Sequence, residues 1–189
     1  MDFEDDIRNA LTVLHKGGTL LYPTDTVWGL GCDATNYMAV NKVYGLKRRV
    51  ESKSLIILLE SFESLSNYVK RIPDITYDLL DSIDSPVTII YSNAWNLPEN
   101  VIAKDGTIGI RIVKEKFCQD LIRAFGRPIV STSANISGEH TPSVFNQISD
   151  EIKSDVDYVV KYKQDVFTPS RPSTIIRLFE NGHYTMIRN

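Results

Sequence analysis

Four polar segments of this sequence combine residue types and spacings suited to handling a small anionic molecule. The first is Pro23-Thr24-Asp25-Thr26-Val27-Trp28-Gly29-Leu30-Gly31. It leaves the end of an expected strand, where α/β sheets place their ligands, and its hydroxyls and glycine amides are able to line a pocket. Read alone, the same residues also suit a turn whose side chains bond their own backbone. The second runs from Lys47 through Arg48, Arg49 and Val50 to Lys53, four cations in seven residues. At a helix end these would form a solvated face that complements the dipole. In an extended chain, side chains two apart share a side, so Lys47 and Arg49 converge while Arg48 points away. Two convergent cations, an Arg fork and a mobile Lys charge, are what a triphosphate requires. Ser131-Thr132-Ser133-Ala134-Asn135 is the third, a dense set of hydroxyl and amide donors expected directly after a strand over Pro128–Val130. A capping or turn motif before Gly138 is its plainer reading. The fourth, Pro172-Ser173-Thr174-Ile175-Ile176 with Arg188, is ordinary in isolation and fits a hairpin strand.

Other chemistries lack the residues they need. Gly29-x-Gly31-x-x-Ala34 imitates a dinucleotide fingerprint, but the glycines do not directly follow the strand and the next segment is basic. No GxxxxGK phosphate loop occurs, and nothing is arranged as a Ser/His/Asp triad or a carboxylate pair. The acidic residues read as dispersed over a solvated surface. His15, His140 and His183 are scattered, which argues against a zinc cluster. Cys32 and Cys118 have no CxxC spacing and read as separate buried, reduced thiols.

The elements that must position these residues follow from periodicity and punctuation. A helix is expected from Phe3 to Lys16, stopped by Gly17-Gly18, then a strand over Thr19–Tyr22 broken by Pro23. After a glycine-rich turn at Gly29 and Gly31, Asn36 should cap a helix through Val40, Val43, Tyr44 and Leu46. Ser54–Leu59 reads as a strand covered on both faces. Helices are expected around Ser61–Val69, Asp74–Ile83, Lys114–Phe125 (closed by Gly126) and Ser143–Ile152. Strands are expected at Pro86–Tyr91, Thr107–Ile112, Pro128–Val130, Val156–Val160 and Thr174–Phe179. Asn181-Gly182 signals a hairpin that returns His183–Ile187 onto the preceding strand. Residues 93–105 form the longest irregular stretch, a lid or a plain surface connection. Interleaved strands and helices with a strand-rich end imply an α/β fold with a twisted, open, mixed parallel and antiparallel sheet and helices on its faces.

A length of 189 residues fits a single domain over 1–189 with a core that needs no disulfide or metal. The net charge of −3 disfavours a global electrostatic footprint for nucleic acid, while leaving room for a local basic patch. The acidic start Met1-Asp2-Phe3-Glu4-Asp5-Asp6 resembles neither a secretory signal nor a transit peptide, and no apolar run is long enough to cross a bilayer. The expectation is a soluble, cytoplasmic protein.

Taken together and in this order, the segments resemble the YrdC-like threonylcarbamoyl-AMP synthase family. The matching pieces are the PTDTVWGLG stretch from Pro23, the KxR pair Lys47/Arg49, the strand Pro86-Val87-Thr88, the strand Ile108-Gly109-Ile110-Arg111, the SxN triplet Ser133/Asn135 and the Ser173-Thr174 strand. The resemblance runs from about Gly17 to Arg188 and matches the short family members, which lack the extra C-terminal domain of the longer ones. Val50, Ser54 and Val113 stand where the family often has proline. None of the three replaces a ligand group.

The resemblance implies a YrdC-like fold with a concave, positively lined cavity, and it implies a nucleotidyl transfer. L-threonine takes up bicarbonate as a carbamate, which attacks the α-phosphate of ATP and releases pyrophosphate. The adenylate then feeds N6-threonylcarbamoylation of adenosine 37 in tRNA through separate transfer proteins. Attack on an α-phosphate needs positioning and charge neutralisation more than covalent help. By this resemblance Lys47 and Arg49 are catalytic. Lys53, Ser131, Ser133, Asn135 and Arg188 hold nucleotide phosphates, with Mg²⁺ bound through those phosphates. Thr24, Thr26, Arg49, Thr88, Arg111 and Ser173 receive threonine and its carbamate. Two alternatives use the same residues: a non-enzymatic RNA-binding module, including direct contact with tRNA, or a paralogue of this fold with another substrate.

Overall fold

The computed structural model describes residues 3–48, 55–166 and 172–188. Helix α1 (Glu4–His15) buries Ala10 and Leu14 and carries three carboxylates in its first turn, where the helix dipole favours them. It ends at Gly17, whose φ of 68° lets the Gly18 N–H reach the Val13 carbonyl and the Gly17 N–H reach that of Leu14, both at 2.9 Å. That paired closure requires a left-handed residue, which glycine supplies without steric cost. Strand β1 (Thr19–Tyr22) follows and pairs antiparallel with β2 (Gly29–Cys32). The stretch expected as a glycine-rich turn is therefore a strand. Its glycines are there for close approach, since a Cβ on Gly31 would stand 2.3 Å from the Val130 carbonyl and 2.7 Å from the Tyr22 ring.

Asn36 caps α2 (Tyr37–Leu46) by accepting from the Ala39 N–H at 3.1 Å, as its position before the apolar repeat predicts. Then come β3 (Ile56–Leu59), α3 (Thr76–Ser82), β4 (Val87–Tyr91), β5 (Ile108–Ile112), α4 (Lys116–Phe125), β6 (Ile129–Ser133), α5 (Asp150–Asp155), β7 (Tyr158–Val159), β8 (Thr174–Leu178) and β9 (Tyr184–Arg188). Among the described residues the sheet has nine strands in the order β7-β1-β2-β6-β3-β5-β4-β8-β9. Pairs β1/β7, β3/β5 and β4/β8 are parallel and the other five are antiparallel, the mixed sheet that the sequence pattern implies. The β8–β9 hairpin forms as the Asn-Gly signal requires, with a bulge between Ile175 and Ile176.

Two expected helices come out differently. Ser143–Ile152 is not one helix: a 3-10 turn at Phe145–Gln147 is followed by extended Ile148. Ser149 then caps α5 by accepting from the Ile152 N–H, a non-helical cap position that breaks the run. The segment around Ser61–Val69 shortens to a 3-10 helix at Glu63–Asn67, because Val69 turns away to bridge Ala94. Residues 93–105 are a connection tied to the body. Trp95 Nε1 donates to the Ser66 carbonyl, Asn100 Nδ2 donates to Asn41 Oδ1 and to the Tyr37 carbonyl, and Tyr44 donates to the Asn100 carbonyl.

Strand alternation divides the inward residues between two faces. Ile57, Leu59, Ile89, Val130 and Ile176 enter the core that packs beneath α2 and α3. On the opposite face Leu20, Tyr22, Leu58 and Ile129 meet α4 and α1, with Phe117 and Leu121 at the centre. Farther along that same face the residues turn polar. Ser131 sits two positions beyond Ile129 on β6, and Arg111 pairs across from Leu58. The helices cover only part of this face, and the polar remainder forms the floor of a cavity.

Candidate functional site

The cavity has a volume of about 230 Å³ and takes one or more residues from each of β2, β6, β3, β5, β4, β8 and β9. Across β4, β8 and β9 a single register row runs from Thr88 to Ile175 to Arg188. One step beyond the Ile89–Ile110 pair, Thr88 lies opposite Arg111. Two guanidiniums thus project from one row into the same space, with threonine and isoleucine between them. Hydroxyls of Thr26, Ser131, Thr132, Ser133, Thr141 and Ser173 line the remaining walls, and Val27, Leu55, Ile56 and Pro172 supply apolar surface.

Arg111 is 3% exposed and ion-paired with Asp25, Nη2 to Oδ1 at 3.5 Å. Its Nη1 donates to Thr26 Oγ1 at 3.0 Å. Asp25 Oδ2 accepts the Lys114 N–H at 3.0 Å, which fastens the Pro23–Val27 loop to the segment before α4. Within that loop Thr24 Oγ1 donates to the Val27 carbonyl at 2.7 Å and accepts from the Thr26 N–H at 3.0 Å. Opposite, Arg188 donates twice to the Ser173 carbonyl, at 3.1 and 2.8 Å, and Ser173 Oγ is 2.9 Å from Thr88 Oγ1. Burial, and then the charge of Arg111, lowers the pKa of Arg188 below the ordinary arginine value. Mutual repulsion of two cations in one cavity is the electrostatic signature of a site prepared for an anion.

Lys47 is placed differently from its expected role. The chain is not extended there: Lys47 closes α2 in the right-handed helical region and Arg48 adopts a φ of 48°. Lys47 still points inward and Arg48 outward, toward Glu151. The Lys47 ammonium donates to the carbonyls of Ser133 at 2.5 Å and Asn135 at 2.6 Å, and its own carbonyl accepts the Ser137 N–H at 2.9 Å. A buried lysine thus pins the turn that follows β6. Arg49 and Lys53 lie outside the described residues, as do Val50 and Ser54.

Among the sequence candidates, Thr26, Thr88, Arg111, Ser131, Ser133, Ser173 and Arg188 are brought together around the cavity. Thr24, Lys47 and Asn135 stand behind its wall. Asn135 donates to the carbonyls of Ile136 and Glu139 and so braces the same turn as Lys47. Ser131, Thr132 and Ser133 belong to strand β6 itself and do not follow it. Leu55, Ile56 and Thr141 were not singled out in the sequence; alternation along β3 would have found Ile56, while nothing marks Thr141. Asp25 is the more instructive omission, because it looked like one of many surface carboxylates and is 9% exposed. Asp6 and Asp33 are buried as well, bonded to backbone amides and to Arg127.

The family model for Sua5/YciO/YrdC, described as "Telomere recombination", matches residues 12–189. A protein of Pseudoalteromonas translucida named threonylcarbamoyl-AMP synthase is 33% identical, covering 93% of this chain and 94% of its own. One of the same name from Hahella chejuensis is 36% identical, covering 89% and 91%. Among solved structures, P. abyssi Sua5 complexed with L-threonine superposes with a TM-score of 0.83 at 28% identity. The match covers 93% of this chain and 51% of that one, so this chain spans about half the length of the P. abyssi protein. The fold is that of an α/β protein with a cleft on its sheet lined by Arg111, Arg188 and hydroxyl side chains. The chain belongs to the Sua5/YciO/YrdC family. No helix among the described residues is long and apolar enough to cross a membrane.

Proposed function

We propose that the cavity forms L-threonylcarbamoyl-AMP from L-threonine, bicarbonate and ATP with release of pyrophosphate, for the N6-threonylcarbamoyl modification of tRNA in the cytoplasm. The observation that carries this reading is the convergence of Arg111 and Arg188 on one space walled by hydroxyls from β4, β6 and the connecting segments at Thr26, Thr141 and Ser173. Such a space suits two anionic reactants, a carbamate and a triphosphate, which repel each other in water. Holding both against fixed cations removes that repulsion and the entropy of encounter. The family membership and the names of the relatives point the same way.

In this assignment Ser131, Ser133 and Arg188, with Arg49 and Lys53, receive the nucleotide phosphates, and Mg²⁺ is carried on those phosphates. Thr26, Thr88, Arg111 and Ser173 receive threonine and its carbamate, with Arg49 on the threonine carboxylate. Lys47, Asn135 and Thr24 serve from behind. The product leaves for separate proteins that transfer the threonylcarbamoyl group to tRNA.

Pyrophosphate release from ATP by the purified protein, with bicarbonate and L-threonine each present or omitted, tests the reaction. Release that requires both is expected. Release without threonine, or none in folded protein, would reject the synthase. A companion expectation concerns Arg48, whose exposed side chain pairs with Glu151 across the surface. Because exposed pairs contribute only about 0–1 kcal/mol, Arg48→Ala should change the rate of pyrophosphate release less than about threefold.

A further inference from the structure

The hydrogen bonds around Thr26 have only one consistent direction. The Val27 carbonyl can only accept, so the Thr24 hydroxyl proton is committed to it. Thr24 Oγ1 must therefore accept in its 3.0 Å contact with Thr26 Oγ1, and the Thr26 proton points to Thr24. Arg111 Nη1, which can only donate, occupies a second position on Thr26 Oγ1. One lone pair remains, on a residue that lines the cavity. Thr26 can offer a ligand nothing except an acceptor.

This polarity holds only while the Arg111 guanidinium keeps its orientation. Among the described residues, Arg111 on β5 is ion-paired with Asp25 alone and its Nε has no hydrogen-bond partner. Asp25 is in turn fixed by the Lys114 amide on Oδ2, while Oδ1 makes no hydrogen bond among the described residues and faces Arg111 Nη2 at 3.5 Å as an ion pair. A guanidinium without that charge would be free to move Nη1 off Thr26, releasing Thr26 to rotate.

We propose that Asp25 is a positioning residue that, through Arg111, makes Thr26 an acceptor for an N–H or O–H of the amino-acid substrate. This rests on the synthase reading for the identity of that substrate. The Asp25 carboxylate does not touch the reacting atoms. Its charge, 3.5 Å from Arg111 Nη2, holds the guanidinium so that Nη1 stays on Thr26, and Thr26 then discriminates a ligand donor from a ligand oxygen.

The test replaces Asp25 by Asn, which keeps an acceptor for the Lys114 amide and removes the charge. In pyrophosphate release, Asp25→Asn should raise KM for threonine at least tenfold while KM for ATP changes less than threefold. In an Arg111→Lys background the same change should add less than threefold, because the group through which Asp25 acts is gone. Equal losses in both backgrounds, or a rise in both KM values, would overturn the proposal and leave Asp25 a stabilising residue only. A second readout needs no substrate and survives failure of the synthase reading. In ¹⁵N spectra of the unmodified protein, the Arg111 Nη groups should give separate, slowly exchanging signals. A freely rotating Arg111, with averaged Nη signals, would refute the positioning role whether or not the protein makes an adenylate. Absence of pyrophosphate release in the unmodified protein would reject only the identity of the substrate.

Discussion

Gly31→Ala should cost about 3 kcal/mol or more, lowering the melting temperature by roughly 6–12 °C for a chain of this size. The reason lies in how β2 crosses the sheet. A Cβ at this position would lie 2.3 Å from the Val130 carbonyl oxygen and 2.7 Å from Tyr22 Cε1, with the Tyr22 hydroxyl at 3.1 Å. None of these is the far end of a flexible chain. Val130 is part of β6, and Tyr22 is fully buried with its hydroxyl donating to that same carbonyl at 3.0 Å. To admit a methyl group, β6 must move away from β2, and Ser131 and Ser133 move with it out of the cavity wall. Activity should fall with stability. Gly45→Ala is the matched control, since nothing lies within 4 Å of its Cβ position inside α2. There the same substitution should stabilise by about 0.5–1 kcal/mol. Thermal unfolding of both variants decides the matter, and two shifts of the same sign would defeat the packing account.

Gly31 also shows where sequence reasoning reaches its limit. Glycines after Trp28 signal a turn by propensity, and only the neighbouring strands reveal that the missing Cβ is needed for contact within a sheet. Elements with a local cause were legible: the stop at Gly17, the cap at Asn36, the Asn181-Gly182 hairpin and the amphipathic α4. Those decided at long range were not. The helix expected over Ser143–Ile152 broke at Ser149, a cap whose signal is as local as that of Asn36 but lay inside a longer apolar pattern. For the cavity, residue types identified the hydroxyls and arginines. The pairing of β4 with both β5 and β8 was needed to place Thr88 between Arg111 and Arg188. Asp25 could not be separated from surface carboxylates until its distance to Arg111 was known.

Replacing Lys47 by Met should lower the rate of pyrophosphate release at least tenfold and destabilise the protein by about 1–3 kcal/mol. Methionine keeps the apolar stem and deletes the ammonium. Two carbonyls, of Ser133 and Asn135, then lose donors at 2.5 and 2.6 Å in a place where Lys47 is only 2% exposed. The Ser133 carbonyl keeps the Asn135 N–H at 2.9 Å, so the Asn135 carbonyl is the acceptor that loses its partner among the described residues, and one such buried acceptor costs about 1–3 kcal/mol. The loss of activity follows from geometry, because the turn from Ser133 to Ser137 is held to the end of α2 by this ammonium and by the Ser137 amide on the Lys47 carbonyl. Ser131 and Ser133 face the cavity only while that turn is in place. An alternative origin for the same loss is direct contact between the ammonium and substrate, as the KxR resemblance implies. The two origins differ in what else changes. A turn that loses its anchor unfolds earlier, by roughly 2–12 °C, and does so without any ligand present. Direct contact alone leaves the melting temperature of the free protein where it was and removes only turnover. Measuring both quantities on Lys47→Met therefore separates a lysine that builds the site from one that only occupies it, and the two carbonyl bonds favour the first.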